Sequence, residues 1–154
     1  MLPVCQSYGM GAITWSPLSG GWLSGNYRKG KEIPVSRRAE RLPDRFDLSL
    51  PGNQAKLDAA ESLAQLAEEV GVSLVQLALA FVLEHPAVTA PIIGPRTMEQ
   101  LETQLGAAEL RLDRDVLDRI DEIVPPGTNL NAADVAWGPP ALADTAARRR
   151  PRAT

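Results

Sequence analysis

The sequence predicts an α/β fold built on parallel strands, and three observations predict it. Two short apolar runs, at residues 11–15 and 88–93, each end in a loop marked by Pro or Gly. Segments with apolar residues every three or four positions, the helical period, fill the chain between and after them. The strands contain Ile and Val and alternate with helices, the pattern of a parallel sheet covered by helices. Two strands alone leave both edges unpaired and too little sheet to cover the helices.

Leu2-Pro3-Val4-Cys5-Gln6-Ser7-Tyr8-Gly9-Met10 reads as the last turn of a helix followed by a glycine connection. A helix end with no helix before it reads as a chain that starts within a fold. Gly11 to Trp15 is the first strand, expected to be buried. Pro17 stops further pairing because it lacks an amide hydrogen, and Gly20 and Gly21 permit positive φ and close backbone approach. This layout suits a ligand-cradling loop, and it suits an ordinary turn at least as well.

Arg28 to Gly52 carries Arg28, Lys29, Lys31, Arg37, Arg38, Arg41 and Arg45 with weak periodicity, and reads as a long irregular loop. Loops beyond about 12–15 residues are uncommon in compact domains and are usually lids, binding loops or disorder. The positive excess fits an anionic ligand and fits plain solvation equally.

Asn53 to Val70 is predicted helical: Leu57, Ala60, Leu63, Ala64, Ala67 and Val70 share a face, with Lys56, Asp58, Glu61 and Glu68 mostly elsewhere. Gly71 ends it. Ser73 to Gln76 is a capping box with Val72 and Leu77 as staple. It opens a helix over Leu74 to Glu84 that is apolar nearly all round and expected to be buried on most sides. His85-Pro86 stops it. Val88 to Gly94 is the second strand, weakened by Pro91. Thr97 to Gln100 is a second capping box, starting a helix that runs to about Ala108. Asp113 is the expected N-cap of a last helix with Val116, Leu117, Ile120, Ile123 and Val124 on its apolar face. Pro125-Pro126-Gly127 terminates that helix. The domain is expected over residues 1–127, with 128–154 as a partly disordered tail in which Arg148-Arg149-Arg150-Pro151-Arg152 is solvated.

A net charge of −3 gives no reason to expect nucleic acid or an anionic membrane as partner. Cys5 is the one cysteine, so no internal disulfide forms and a cytoplasmic, reducing compartment is expected. His85 is the one histidine, which removes multi-histidine metal sites, and no metal is expected. No signal peptide is visible. The longest apolar run, Leu77 to Leu83, falls far short of the roughly 20 residues of a membrane span.

Two stretches carry more than pattern. Tyr8-Gly9-Met10-Gly11-Ala12-Ile13-Thr14-Trp15-Ser16-Pro17-Leu18-Ser19-Gly20-Gly21-Trp22-Leu23-Ser24-Gly25 resembles the seventh-strand segment of the aldo-keto reductases. It is most similar to the branch that includes the potassium-channel β subunits and many bacterial reductases. Ile92-Ile93-Gly94-Pro95-Arg96-Thr97-Met98-Glu99-Gln100-Leu101-Glu102-Thr103-Gln104-Leu105-Gly106-Ala107 resembles the family's eighth strand and following helix. Asp113 to Val124 looks like its extra C-terminal helix.

The resemblance implies the C-terminal portion of a (β/α)8 barrel, with chemistry at the C-terminal ends of the strands. It implies NADPH as cofactor, no metal, and a small aldehyde or ketone as substrate once the barrel is completed. The family's catalytic tyrosine, lysine, aspartate and histidine belong to its first half. Tyr8, Tyr27, Lys29, Lys31, Lys56 and His85 match none of them, so no catalytic residue is assigned and the chain alone is expected to be inactive.

The cofactor side is better represented. Trp15 resembles the aromatic residue beside the nicotinamide, and Ser16, Pro17, Leu18, Ser19 and Gly20 the segment near the pyrophosphate. Asn26 stands where family members often have Lys or Arg, which puts one phosphate contact in doubt. Arg37 matches a family arginine in the long loop, with Arg38 adjacent. Gly94, Arg96, Gln100, Thr103 and Gln104 match positions around the adenosine 2′-phosphate and adenine. Gln100 has a competing job in its capping box, and Thr103 and Gln104 equally suit a solvent face. The expected chain is a truncated reductase polypeptide. The alternatives are a non-catalytic NADPH-binding or interaction module, paired with a complementary half-barrel or a second copy, and a gene fragment without function.

Overall fold

The computed structural model describes residues 1–33 and 36–134. Arg148–Arg152 and most of the expected tail lie outside the described residues. The elements run α1 (Leu2–Ser7), β1 (Ala12–Thr14), α2 (Arg37–Arg41), α3 (Pro51–Glu69), α4 (Leu74–Leu83), β2 (Val88–Pro91), α5 (Met98–Leu105) and α6 (Arg114–Ile123). Short 3-10 turns lie at Ser19–Gly21, Pro43–Arg45, Gly106–Ala108 and Ala132–Asp134.

β1 and β2 pair in parallel, with Ala12 opposite Val88, Ile13 opposite Ala90 and Thr14 opposite Pro91. A register shift between Ala12 and Ile13 admits the extra residue. Pro91 is tolerated at the strand end, and the ladder continues past it as the Ile92 N–H donates to the Thr14 carbonyl at 2.7 Å. Gly11 is needed where the strands meet, since a β-carbon there would strike the Thr89 hydroxyl.

The expectation of buried strands is corrected. Ile13 is 69% exposed and Ile92 56%. No third strand pairs with the two-stranded sheet among the described residues.

The core lies in the helices. Ala64, Leu66 and Ala67 of α3, Leu74 and Leu77 of α4 and Ile120 of α6 form one buried cluster. Pro51 at the first turn of α3 has the φ a helix needs and no amide left unpaired. Gly71, at φ +78, lets the chain turn 93° from α3 into α4. The Ser73–Gln76 capping box forms in full: Ser73 Oγ accepts the Gln76 N–H and Gln76 Oε1 accepts the Ser73 N–H. α4 is buried along most of its length, with Phe81 left 40% exposed. Asp113 stands at the N-cap of α6, but its side chain caps nothing. His85 has a local role, its Nδ1 accepting the Ala87 N–H at 3.1 Å after α4 ends. No single described helix is long and apolar enough to cross a membrane.

Arg28 to Gly52 is not a free loop. It contains α2, capped by Ser36, whose hydroxyl accepts the Ala39 N–H at 3.1 Å. Its basic residues are partly spent on acidic partners. Arg28 pairs with Glu61 at 2.9 Å and Glu68 at 2.7 Å, and Lys29 with Asp58 at 2.7 Å. Residues 128–134, expected in the tail, instead fold back onto this loop and α3: Asn131 is buried, and its Nδ2 donates to Asn53 Oδ1 and to the Asp44 carbonyl.

Candidate cofactor site

The parallel pairing places the C-terminal ends of β1 and β2 side by side. The loop at Ser16–Gly21 therefore opens at the same end of the sheet as the segment Gly94–Gln100. Trp15, the residue after β1, is 80% exposed, so its ring is available to a ligand and is not part of a packed core.

Ser16 and Ser19 adopt positive φ, +58 and +50, which is strained for a residue with a side chain. Hydrogen bonds hold the turn there. Ser16 Oγ accepts the Gly20 N–H at 3.1 Å, the Ser16 carbonyl accepts the Ser19 N–H at 2.9 Å, and the Leu18 carbonyl accepts the Gly21 N–H at 2.9 Å. These bonds consume most of the loop's amides. The Leu18 N–H meets no acceptor among the described residues, and the Ser16 and Ser19 hydroxyls keep a proton to donate. Pro17 contributes its fixed φ and no donor.

Of the adjacent pair Arg37 and Arg38 in the long loop, it is Arg38 whose side chain lies against this turn. A β-carbon at Gly20 would lie 3.4 Å from Arg38 Nη1 and 3.8 Å from its Cδ. Arg37 is exposed. Gly20, at φ +70, thus serves both the turn and the guanidinium that lies against it.

At the second segment, the Thr97 hydroxyl accepts the Gln100 N–H at 3.2 Å, as the capping box predicts. Gln100 Oε1 reaches one residue further back than expected and accepts the Arg96 N–H at 2.9 Å. Gln100 is therefore committed to the helix start through its oxygen. The N–H groups of Met98 and Glu99 meet no acceptor among the described residues. The Arg96 side chain is exposed and forms no ion pair among them. Free first-turn amides beside a guanidinium make an anion site of the kind a phosphate takes. Gly94 is exposed, with nothing within 4 Å of a β-carbon built on it.

The last two expected residues are less suited. Thr103 Oγ1 donates to the Glu99 carbonyl at 2.9 Å within α5. Gln104 Oε1 is closed off from water without a partner, so in this rotamer it cannot meet a ligand.

The residues present thus fit a group bearing phosphates at both ends of this surface: Leu18 N–H, two serine hydroxyls and Arg38 at one, Arg96 with the Met98 and Glu99 amides at the other. Among the described residues no cluster of His, Cys, Asp and Glu could hold a metal.

Behind the loop lies a polar knot that the sequence reading missed. Lys56, placed there mostly off the apolar face, is 6% exposed. Its Nζ donates to the Arg45 carbonyl at 2.7 Å and Asp134 Oδ2 at 3.0 Å, and lies 4.7 Å from the centre of the Trp22 ring. Trp22, Tyr27 and Phe46 cluster around it, with centroids 4.5–5.9 Å apart. Burial lowers the Lys56 pKa, and Asp134 opposes that shift. Asn53, fully buried, donates through Nδ2 to the carbonyls of Asp44 and Asp47 at 3.0 and 2.8 Å. The signal was present: Asn53 and Lys56 fall in phase with the apolar stripe of Leu57, Ala60, Ala64 and Ala67.

A 610 Å³ apolar cavity lies between α3, α4, α6 and the Pro17–Leu23 segment.

The aldo/keto reductase family profile matches residues 1–125. The chain is 39% identical over 138 residues, 89% of its length, to the uncharacterized oxidoreductase YrpG of Bacillus subtilis. It is 37% identical over 131 residues to a putative voltage-gated potassium channel subunit beta of Schizosaccharomyces pombe, and 35% over 127 residues to a probable one of Oryza sativa, each covering 80% of the chain. It spans 37–39% of the length of these relatives. With a profile match over most of its residues and relatives 35–39% identical, the chain belongs to the aldo/keto reductase family.

Proposed function

We propose that this polypeptide forms the NADPH-holding part of a (β/α)8 reductase barrel acting on aldehydes or ketones, and that alone it does not reduce carbonyls. The observation that carries this reading is the side-by-side opening of β1 and β2 into the Ser16–Gly21 loop and the Arg96–Gln100 segment. When bound, NADPH supplies a hydride. Trp15 lies beside the nicotinamide, and the Ser16 and Ser19 hydroxyls with Arg38 receive the pyrophosphate. Arg96 and the first-turn amides of α5 take the 2′-phosphate, which selects NADPH over NADH.

Carbonyl reduction also needs an acid close to the carbonyl oxygen. No tyrosine stands at a strand end here: Tyr8 follows α1, and Tyr27 is buried against Trp22. The partner in this reading is a complementary half-barrel, in the cytoplasm. A non-catalytic cofactor-binding module attached to a larger assembly is the second reading, favoured by the channel-subunit names of two relatives.

Titration of the 154-residue protein with NADPH and NADH, followed by nicotinamide fluorescence, tests the proposal. Saturable NADPH binding is expected, weakened about tenfold or more in Arg96→Ala with NADH unaffected, the loss of charge-assisted phosphate bonds. No binding of either cofactor refutes the cofactor role. NADPH oxidation by the pure chain with a range of aldehydes refutes the claim that it is inactive alone.

A further inference from the structure

The segment that carries Arg38 is held by two clamps, both on α3. The first is Arg28, whose Nε and Nη2 donate to the Glu61 carboxylate at 2.9 and 3.0 Å, reinforced by the Lys29 N–H on Glu61 Oε2 at 3.0 Å. The second is the polar knot. Asn53 and Lys56 seize the carbonyls of Asp44, Arg45 and Asp47, and residues 131–134 close over them. Asn131 Nδ2 bonds Asn53 Oδ1 and the Asp44 carbonyl, Arg45 Nε donates to the Ala133 carbonyl at 3.0 Å, and Asp134 pairs with Lys56. α2 lies between the clamps, a few residues ahead of Asp44, and its Arg38 rests on Gly20.

A buried amide pair is worth little as stabilisation unless both partners are satisfied, but it fixes a single arrangement of the chains that meet in it. Here the Asp44–Asp47 end of the strap and the start of α3 meet a stretch distant in sequence, the one after α6. Asn131 satisfies the one acceptor of Asn53 that the strap leaves open.

We infer that Asn131 is a positioning residue for the candidate cofactor site: through Asn53 and the Asp44 carbonyl it holds the Arg38-bearing strap against the Ser16–Gly21 loop. This rests on the cofactor reading above and adds a role for the stretch after α6. Its loss frees α2 and removes Arg38 from the pyrophosphate end, while Arg96 and α5 are untouched.

Asn131→Asp tests this with nearly unchanged shape. It keeps the oxygen that accepts the Ala133 N–H at 2.9 Å and loses the amide that donates to Asn53 and Asp44. If Asn131→Asp does not fold, judged by circular dichroism, Asn131→Ser removes the same amide without adding charge. NADPH binding is expected to weaken about three- to tenfold, the scale of a weakened Arg38 contact with the ligand. Adenosine 2′-monophosphate, which carries no 5′-phosphate and so engages only the α5 end, is expected to bind as before. In an Arg38→Ala background the same substitution is expected to cause no further loss. Hydrogen exchange at the Ala39 and Glu40 amides of α2 is expected to accelerate in the cofactor-free protein.

Unchanged NADPH affinity with unchanged α2 exchange overturns the inference, and so does a loss that persists undiminished without Arg38. If the unsubstituted chain binds no NADPH, the cofactor reading falls, and α2 exchange alone decides: acceleration upholds the coupling to Asn131, and no change refutes it.

Discussion

Lys56→Met removes a buried cation at nearly constant side-chain length, and its outcome separates two opposed electrostatic effects. In the native chain the ammonium is 6% exposed and satisfies the Arg45 carbonyl at 2.7 Å and Asp134 at 3.0 Å, over the face of Trp22. Its loss orphans a backbone acceptor and leaves Asp134 with only Arg45 Nε, at 3.9 Å. Hydrogen bonds to charged groups contribute about 1.5–3 kcal/mol each when buried. Asp134 is 33% exposed and rehydrates, which shrinks its share. Relief from burying the ammonium acts the other way. The net expectation is a loss of about 1–3 kcal/mol, or about 0.5–1.5 M in the urea midpoint for a slope near 2 kcal/mol/M. Urea unfolding followed by tryptophan fluorescence reads it.

The pH dependence carries the sign of the same balance. Burial lowers the folded-state pKa of Lys56 below its ordinary 10.5, so between the two values the unfolded chain binds more protons. Stability attributable to Lys56 therefore rises as pH climbs towards 10.5, and Lys56→Met lacks that rise. A substituted chain as stable as the parent at neutral pH, or more so, refutes the reasoning, because the burial penalty then outweighs the bonds formed.

Two further outcomes follow from the clamps and the core. The Arg28 guanidinium, with the Lys29 N–H, holds the Glu61 carboxyl down to about 2, against an ordinary 4.5. Its stabilising contribution is present above about 4.5 and disappears as pH falls towards 2, and Glu61→Gln should flatten the acid limb of a stability–pH curve. An identical acid limb in both proteins contradicts the clamp. Leu77→Ala at a 1% exposed position in the helical cluster is expected to cost about 2–5 kcal/mol, a large part of the usual margin, in calorimetry or urea titration. A cost below about 1 kcal/mol places the core elsewhere.

Local chemistry was legible and side-chain direction was not. The Ser73–Gln76 box formed as read because its two bonds depend only on residues three apart. The same logic at Thr97–Gln100 gave the helix start but not the partner of Gln100, which took the Arg96 amide one residue earlier. Arg37 and Arg38 differ by one position in a segment without periodicity, and only tertiary packing decides which of them reaches Gly20. Lys56 looked like the polar surface of a helix because charge usually marks solvent, and Asn53 was read only as the helix start. Burial became affordable where backbone carbonyls of the strap came to meet them. The burial of β1 was misjudged because strand composition records the partners a strand is built for, and Ile13 finds no cover among the described residues.

That contrast sets where stability and recognition reside. The helices share a buried cluster, α3 carries both clamps of the strap, and α4 packs along most of its length. The sheet has one parallel pair with Ile13, Trp15 and Ile92 exposed, a surface too apolar to be indifferent to water. Local opening is governed by buried contact, so the β1–β2 ladder should exchange its amides before α3 and α4 do. The Ser16–Gly21 loop is fastened to the less stable layer through β1 and to the more stable layer through Arg38. A phosphate-bearing ligand that engages Ser16, Ser19 and Arg38 together joins the two layers, and slower exchange at the Ile92 amide on NADPH addition is the signature of that join. Equal exchange with and without the cofactor, at saturating binding, means that the ligand is held by α5 alone.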